Sequence, residues 1–158
     1  MNSILRIVFL GYFISHIPIT LCIDLQGLFG SHYPKPLQDL FAWYIASFND
    51  VVMLEMKPWI KSFIYCEMLF QLPFFFYVTH GLINKSNAIR IPSIVYGAHV
   101  TTTLFPIMLE VMMSAQMQEL EKITLLSVYS PYLLLPLTLM LYMCFNAKPF
   151  GDEDKKRK

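Results

Sequence analysis

The sequence predicts an all-α membrane protein, a four-transmembrane-helix bundle with kinked helices and a short amphipathic helix in the first luminal loop. Hydrophobic residues make up 56% of the 158 residues and charged residues only 15%, whereas soluble domains carry about 25% charged residues. The apolar residues also gather in four long runs. The net charge is only +1, and the sequence contains no basic patch. Both observations argue against a nucleic-acid partner.

Four runs are long enough to cross a bilayer, which takes roughly 20 mostly apolar residues. They cover residues 4–29, 59–82, 91–114 and 123–145. The first run is too long for a signal peptide and contains His16, Pro18 and Asp24, so we expect it to remain as a permanent span. The sequence therefore predicts one transmembrane domain over residues 4–145, followed by a tail over residues 146–158.

The positive charges predict that both termini are cytosolic. Eight of the 12 lysines and arginines fall on the side of the termini, which the positive-inside rule assigns to the cytosol: Arg6, Lys85, Arg90, Lys148, Lys155, Lys156, Arg157 and Lys158. Lys155 and Lys156 also match a dilysine retrieval signal, which predicts residence in the endoplasmic-reticulum membrane. The other interpretation is a basic flank that attracts anionic lipid. The nuclear envelope and lysosomal membranes are further locations that we expect, independently of the retrieval signal.

The one long connection, residues 30–58, contains an amphipathic pattern. Its apolar residues recur at the i, i+3, i+4, i+7 spacing of a helix: Leu37, Leu40, Phe41, Tyr44, Ile45 and Phe48. This helix either lies on the bilayer surface or folds over the bundle as a lid. Asn49 and Asp50 then break the pattern, and Asp50 is expected to cap a short helix running toward Glu55.

Prolines occur in every predicted span. All except Pro92, which lies in a first turn, are expected to kink their helices because proline lacks the N–H that an α-helix interior requires: Pro18, Pro73, Pro106, Pro131 and Pro136. Kinks in several neighbouring helices favour a cavity between them.

Two acids lie inside predicted spans, Asp24 in the first and Glu67 in the second. A charged acid near a bilayer centre costs on the order of 3 kcal/mol, so such groups usually face a bundle interior or a polar cavity. With a rise of about 1.5 Å per residue, the topology places five polar residues in one depth band: Asp24, Glu67, Thr103, Tyr129 and Tyr132.

Asp24 and Glu67 are expected to act as one anionic site. Two carboxyl groups facing each other in a low dielectric resist double ionisation, so one of them should hold a proton. Gln71 shares a helix face with Glu67 because the two are four residues apart. Such a site suits an amphipathic cation with aromatic walls around its apolar body. The alternative is that the two acids only hydrogen-bond and hold two helices together.

The remaining polar residues leave an enzyme hypothesis open. His16 and His99 are either packing residues or groups that move a proton beside a carboxylate. Glu110, near the end of the third span, is expected to reach headgroups or water. The sequence contains three cysteines, an odd number, and no CxxC motif, so we expect neither a disulfide framework nor a metal site. The three are Cys22, Cys66 and Cys144. No catalytic motif or cofactor-binding loop is present, and we expect no cofactor.

Five segments resemble the EXPERA family, and within it the sigma-2 receptor branch. They are SHIPITLCIDLQ at residues 15–26, WIKSFIYCE at 59–67, FQLPFF at 70–75, HVTTTLFP at 99–106 and SVYSPY at 127–132. The family also includes the emopamil-binding sterol isomerase. The resemblance implies a four-helix endoplasmic-reticulum protein, usually a homodimer, with a pocket that opens sideways to the bilayer.

The resemblance also implies a role for particular residues. Asp24 matches the acid that pairs with a ligand amine, and Glu67 matches the acid hydrogen-bonded to it. Asp50 matches a loop acid that supports the fold, although Asn49 and Val51 flank it differently from the usual lysine and proline. The segment from Glu110 to Lys122 is shortened relative to the family. The other implied ligand-binding residues are Gln71, Thr103, Tyr129, Tyr132, Trp43 and Tyr96.

Two functions follow as expectations. The first is a non-enzymatic membrane receptor that binds sterols, oxysterols and cationic amphiphiles and regulates cholesterol homeostasis and trafficking, with the Niemann–Pick type C cholesterol transporter as a possible partner. The second is a sterol double-bond (Δ8–Δ7) isomerase, in which a pocket acid and a histidine move the proton.

Overall fold

The computed structural model describes residues 1–151, which fold into helices joined by turns without a strand. Four helical stretches are long and apolar enough to cross a membrane, and we number them spans 1 to 4: Ser3–His32, Pro58–Ile83, Asn87–Met113 and Glu119–Phe145. They coincide closely with the four predicted runs, which confirms the predicted fold class. Large apolar side chains such as Ile4, Phe70 and Phe105 lie exposed on the outside, as expected for helices that face lipid.

Spans 1 and 2 are each interrupted by a π-helical turn. Span 1 consists of an α-helix at Ser3–Ile19, a π turn at Thr20–Asp24, a short helix at Gln26–Phe29 and a 3-10 turn at Gly30–His32. Span 2 consists of Pro58–Cys66, a π turn at Glu67–Gln71 and Leu72–Ile83. Span 3 begins with a 3-10 turn at Asn87–Ile89 and continues as Arg90–Met113, while span 4 is one helix.

The predicted prolines take two kinds of position. Pro18, Pro106, Pro131 and Pro136 lie inside α-helices, where each removes a backbone hydrogen bond. Pro73 instead lies directly after the second π turn, inside the continuous helical stretch Pro58–Ile83, where it too removes a backbone hydrogen bond.

The amphipathic helix of the first loop spans Lys35–Phe48, as predicted. It ends at Asn49, whose φ of 47° is left-handed. Asp50 then caps the short helix Val51–Glu55 by accepting the backbone N–H groups of Val52 and Met53 at 3.1 and 3.0 Å. The predicted cap is therefore confirmed.

Two apolar cores hold the bundle together. The core at the end that carries the chain termini centres on Phe9, Phe13, Phe75, Leu139 and Met143. The core at the opposite end, which we call the loop end, is built from Leu25, Val51, Ile60, Val111 and Leu125 and receives one face of the helix Lys35–Phe48. The polar residues of interest lie between these two cores.

Both described ends of the chain lie at the same end of the bundle. The amino group of Met1 hydrogen-bonds to the carbonyl of Pro149. The Arg90 guanidinium donates to the carbonyls of Met143 and Asn146 at 2.9 and 3.1 Å, where span 4 ends. This arrangement fits an even number of spans. Lys155 and Lys156 of the predicted retrieval signal lie outside the described residues.

Candidate functional site

A cavity of about 410 Å³ lies between the spans at the loop end. Its walls include every predicted ligand-binding residue except Tyr96. The helix Lys35–Phe48 contributes Leu40, Trp43 and Tyr44 to the walls, which fits the second of the two arrangements expected for it, and we call it the lid helix. The remaining lining is mostly aliphatic and aromatic: His16, Ile19, Ile23, Asp24, Val52, Met53, Ile60, Phe63, Ile64, Glu67, Gln71, Val100, Thr103, Leu104, Ile107, Val128, Tyr129 and Tyr132.

Asp24 and Glu67 meet in this cavity. Each offers a carboxylate oxygen, and these oxygens lie within 4.8 Å of each other and of a ring nitrogen of His16. Asp24 is the last residue of the π turn in span 1, and Glu67 is the first residue of the π turn in span 2. In each turn a backbone N–H bonds five residues back, from Leu25 to Thr20 and from Leu72 to Glu67. The two π turns therefore carry the two acids that line the cavity.

Thr20 is a site residue that the sequence did not indicate. It is fully buried, and its hydroxyl donates to Oε1 of Glu67 at 2.6 Å. Because Thr20 and Asp24 begin and end the same π turn, span 1 presents both a donor and an acid to Glu67. The only signal in the sequence is a four-residue spacing between a threonine and an acid, which is too common to single Thr20 out.

His16 lies in the same wall of the cavity. Its Nε2 is 3.8 Å from Oε1 of Glu67. Its ring stacks on Phe75 with centroids 4.7 Å apart and contacts the edge of Tyr132 at 4.8 Å. The other ring nitrogen, Nδ1, is buried without a hydrogen-bond partner among residues 1–151.

His16, Asp24 and Glu67 are also the residues that would hold a metal ion if one were bound. The donor set does not fit a metal centre well. A structural zinc site takes four protein ligands, and a metal-bound histidine almost always donates its second N–H to an acceptor, whereas Nδ1 of His16 lacks one among the described residues.

Asp50 organises a further part of the cavity wall. Its Oδ1 caps the short helix, and its Oδ2 accepts the hydroxyls of Tyr44 at 2.6 Å and Tyr129 at 2.7 Å. Burial, together with the charge of Asp50, raises the pKa of Tyr44 above its usual range, so this hydroxyl remains a donor. Asp50 does not line the cavity but fixes two tyrosines that do, one from the lid helix and one from span 4.

The other predicted residues take different positions. Gln71 is buried and lines the cavity. The Thr103 hydroxyl donates to the carbonyls of His99 and Val100 within its own helix. Tyr96 belongs to the core at the terminal end, where its hydroxyl lies 3.0 Å from that of Tyr12.

His99 lies away from the cavity, and its Nε2 is buried without a hydrogen-bond partner in the part of the chain that the structure describes. It is therefore not placed to act with Glu67, in contrast to His16.

Glu110 was expected to reach headgroups or water; its side chain is 36% exposed and also forms an ion pair with Lys57. Lys57 also contacts Glu55 at 3.1 Å, and Gln116 donates to Glu55 at 2.8 Å. These partners lower the pKa of Glu55 and raise that of Lys57. The sequence could not reveal this cluster because the partners lie 53 residues apart. It ties the end of the first loop to span 3.

Comparisons with known proteins cover nearly the whole chain. The family model described as EXPERA (EXPanded EBP superfamily) matches residues 36–143. The protein named Sigma intracellular receptor 2 from Xenopus tropicalis is 42% identical over 165 residues, which covers 98% of this chain and 96% of that protein. Its human counterpart is 40% identical, covering 93% and 90%. A fission-yeast protein named Efficient mitochondria targeting-associated protein 19 is 31% identical, covering 84% and 70%.

Proposed function

The chain belongs to the EXPERA family, and from this premise we propose that it is an intracellular membrane receptor that binds cationic amphiphiles and sterols or oxysterols in the cavity beneath its lid helix. The ligand is bound and released without chemical change. The observation that carries the proposal is the Asp24–Glu67 pair, which sits in a cavity whose other walls are mostly apolar.

The charge of the pair selects a cation. Two carboxyl groups within 4.8 Å of each other in an apolar cavity resist ionising together, so the pair carries one negative charge. An ammonium group that approaches Asp24 neutralises this charge and gains a charge-assisted hydrogen bond. Thr20 already donates to Glu67, so Glu67 is engaged and Asp24 is the acid available to the ligand.

The shape of the cavity selects the rest of the ligand. A volume of about 410 Å³ falls in the range of roughly 300–1,000 Å³ that is usual for small-molecule sites. The aromatic side chains of Phe63, Tyr129 and Tyr132 supply walls for a rigid apolar body. A neutral oxysterol fits the same site by donating a hydroxyl to the carboxylate that an amine would otherwise occupy.

The cellular part of the proposal is regulation of cholesterol homeostasis and trafficking from the endoplasmic-reticulum membrane, with both termini cytosolic. It is supported by the relatives named as intracellular receptors and by the charge distribution along the chain. A second copy of this chain and the Niemann–Pick type C cholesterol transporter are the proposed partners. Ligand-dependent crosslinking in cells tests both, and crosslinks that do not change with ligand would argue against regulation.

Equilibrium binding tests the receptor proposal directly. A tritiated cationic amphiphile should bind saturably to membranes that contain the protein, and an unlabelled oxysterol should compete with it. Membranes from the same cells without the protein are the control. Binding that is not saturable, or that the oxysterol leaves unchanged, would contradict the proposal.

One observation favours a second candidate, a sterol double-bond isomerase. His16 and Glu67 both line the cavity, 3.8 Å apart, and an acid beside a histidine is able to deliver a proton to one carbon of an alkene system and remove one from another. Expression in a yeast strain that lacks sterol isomerase separates the two proposals. Restored growth would establish catalysis, and no growth from a well-expressed protein would favour the receptor.

A further inference from the structure

The two ends of the bundle differ in charge. At the loop end, cations are paired with acids, as where Lys35 contacts Asp39 at 2.8 Å and Lys122 contacts Glu119 at 2.9 Å. The end that carries the chain termini, the terminal end, has cations that include Arg6, Lys85 and Arg90. No aspartate or glutamate of residues 1–151 lies there, so this end of the described chain is positively charged.

Arg6 brings its charge to the end of span 2. Its Nη1 donates to the carbonyl of Leu82 at 3.3 Å, in the last turn of the helix Leu72–Ile83. A carbonyl satisfies one donor without neutralising the charge, and a guanidinium has five N–H donors. Arg6 is half-buried and makes no other side-chain hydrogen bond within residues 1–151. Its remaining donors are therefore available to an anion at the surface.

Lys85 adds a second cation at the same helix end. It is exposed and lies three residues after Leu82. Its φ of 53° is left-handed, a conformation that glycine usually supplies where a helix ends. The N–H of Ser86 donates to the carbonyl of Gly81 at 2.9 Å and closes this turn. Lys85 forms no ion pair within the part of the chain that the structure describes, so its ammonium group also points to an external anion.

Arg90 has a different role. Its Nε donates to the carbonyls of Met143 and Asn146 at 2.9 and 3.1 Å, and its Nη2 donates to the carbonyl of Cys144 at 3.4 Å. The last carbonyls of a helix lack donors within the helix, and Arg90 supplies donors to them at the end of span 4. Arg90 is therefore a structural cap.

Arg6 and Lys85 lie where the apolar surface of the bundle ends. Arg6 is three residues from the start of span 1, which corresponds to about 5 Å of helix. Ile4 and Ile7 in the same turn are largely exposed, as expected of side chains that face lipid. Lys85 comes two residues after span 2 ends at Ile83. In a bilayer both cations therefore meet the headgroups, whose phosphate oxygens form strong hydrogen bonds with arginine and lysine.

The distribution of acids favours one kind of headgroup. A zwitterionic headgroup brings an ammonium group together with its phosphate, and at the terminal end this ammonium group meets no carboxylate of residues 1–151. An anionic headgroup such as that of phosphatidylserine brings a net negative charge to two cations. The charges are then complementary.

We propose that Arg6 and Lys85 bind the headgroup of an anionic phospholipid at the terminal end, with the acyl chains against the exposed apolar surface of span 1. The site goes beyond the proposed function, because neither residue lines the ligand cavity, which lies at the loop end. With both termini cytosolic, the lipid belongs to the cytosolic leaflet, which is the leaflet whose anionic lipids attract basic segments.

Lipid binding to the purified full chain in detergent tests the proposal. Native mass spectrometry measures the dissociation constants of phosphatidylserine and of phosphatidylcholine. We expect the wild type to bind phosphatidylserine more tightly than phosphatidylcholine. Arg6→Gln and Lys85→Gln should each weaken phosphatidylserine binding by about fivefold, which corresponds to the roughly 1 kcal/mol that a basic residue contributes near an anionic membrane surface. Phosphatidylcholine binding should change less.

Three further variants separate charge from folding. Lys61→Gln is the matched control, because Lys61 is exposed at the loop end of span 2 and forms no ion pair within residues 1–151. It should bind phosphatidylserine as the wild type does. Lys85→Arg keeps the charge and should keep the affinity. Lys85→Gly suits the left-handed turn, so it should keep its helical content by circular dichroism and still bind as weakly as Lys85→Gln.

Four outcomes would overturn the proposal. Equal affinity of the wild type for the two lipids would exclude an anionic site, and wild-type affinity in both Arg6→Gln and Lys85→Gln would place the site elsewhere. An equal loss in Lys61→Gln would mean that only the total charge matters. Full displacement of phosphatidylserine by inorganic phosphate would mean that the site takes free anions rather than a lipid. None of these measurements involves the cavity, so a failure here leaves the proposed receptor function untouched.

Discussion

Asp24 ends one π-helical turn, Glu67 begins another, and their carboxylate oxygens lie within 4.8 Å of each other. A π turn inserts one extra residue into an α-helix and occurs frequently at functional sites. Here two helices each contain such a turn at the same level of the bundle. The backbone conformation of the two π turns therefore helps to bring the two acids together, in addition to the conformations of their side chains.

The first prediction concerns Asp24. Replacing Asp24 by Asn keeps the shape of the side chain and removes the charge that an ammonium group would meet. A hydrogen bond to a charged group contributes about 1.5–3 kcal/mol, so affinity for a cationic amphiphile should fall by roughly 10- to 100-fold. Saturation binding on membranes measures this change.

Asp39→Asn is the matched control for this prediction. Asp39 lies exposed on the lid helix and pairs with Lys35 at 2.8 Å, so the same chemical change there should leave affinity unaltered. Undiminished affinity in Asp24→Asn would exclude a salt bridge between Asp24 and the ligand.

The second prediction concerns Thr20, which donates to Glu67 from a fully buried position. Thr20→Val has nearly the same volume but lacks the hydroxyl, so Glu67 loses its donor and becomes free to turn away from Asp24. With about 1–2 kcal/mol lost, affinity for the cationic amphiphile should weaken by roughly 5- to 30-fold. Thr20→Ser restores the hydroxyl and should recover most of the affinity. If Thr20→Ser binds as weakly as Thr20→Val, packing rather than the hydrogen bond is responsible.

The sequence predicted most of this site because the relevant signals are local or periodic. The four runs, the spacing of apolar residues in the lid helix and the cap at Asp50 each follow from neighbouring residues. The depth estimate needed only the rise of a helix, and it brought Thr103, Tyr129 and Tyr132 to the level of the acids. Those three side chains do line one cavity with Asp24 and Glu67.

The π turns were not predictable to the same degree. Pro73 gives a physical reason for the second one, since its ring would clash with the carbonyl of Leu69 in a regular α-helix and a wider turn relieves the contact. Pro18 stands before the first π turn and would clash only with the carbonyl of Ile14, which lies outside the turn. Thr20 and the Lys57–Glu110 ion pair were missed because their partners come from distant parts of the chain.

The third prediction separates support of the fold from ligand binding. Asp50 accepts two backbone N–H groups and two tyrosine hydroxyls. In Asp50→Asn the charge is lost and an NH₂ group faces other donors, so the free energy of unfolding should fall by about 1.5–3 kcal/mol. Tyr44→Phe removes one of these hydrogen bonds and should cost about 1 kcal/mol. Chemical unfolding in detergent measures both, with Asp39→Asn as the control.

Binding measurements complete the third prediction. The fraction of Asp50→Asn that remains folded should lose much less affinity for the cationic amphiphile than Asp24→Asn, since Asp50 does not line the cavity and acts on it only through Tyr44 and Tyr129. A full loss of affinity in a protein that unfolds like the wild type would place Asp50 in the ligand site instead.

The fourth prediction concerns the packing of spans 3 and 4. A Cβ atom at Gly97 would lie 2.6 Å from the Pro136 carbonyl oxygen and 2.6 Å from Cβ of Met140. Both atoms are backbone or next to it, so Gly97→Ala must separate the two helices, and overpacking of this kind costs about 1–3 kcal/mol. Gly11→Ala makes the same chemical change in span 1 where the added Cβ meets nothing within 4 Å, so it keeps only the gain in helix propensity of about 1 kcal/mol. Thermal unfolding in detergent should rank Gly11→Ala at or above the wild type and Gly97→Ala below it. Equal stability of the two variants would mean that spans 3 and 4 do not approach this closely at Gly97.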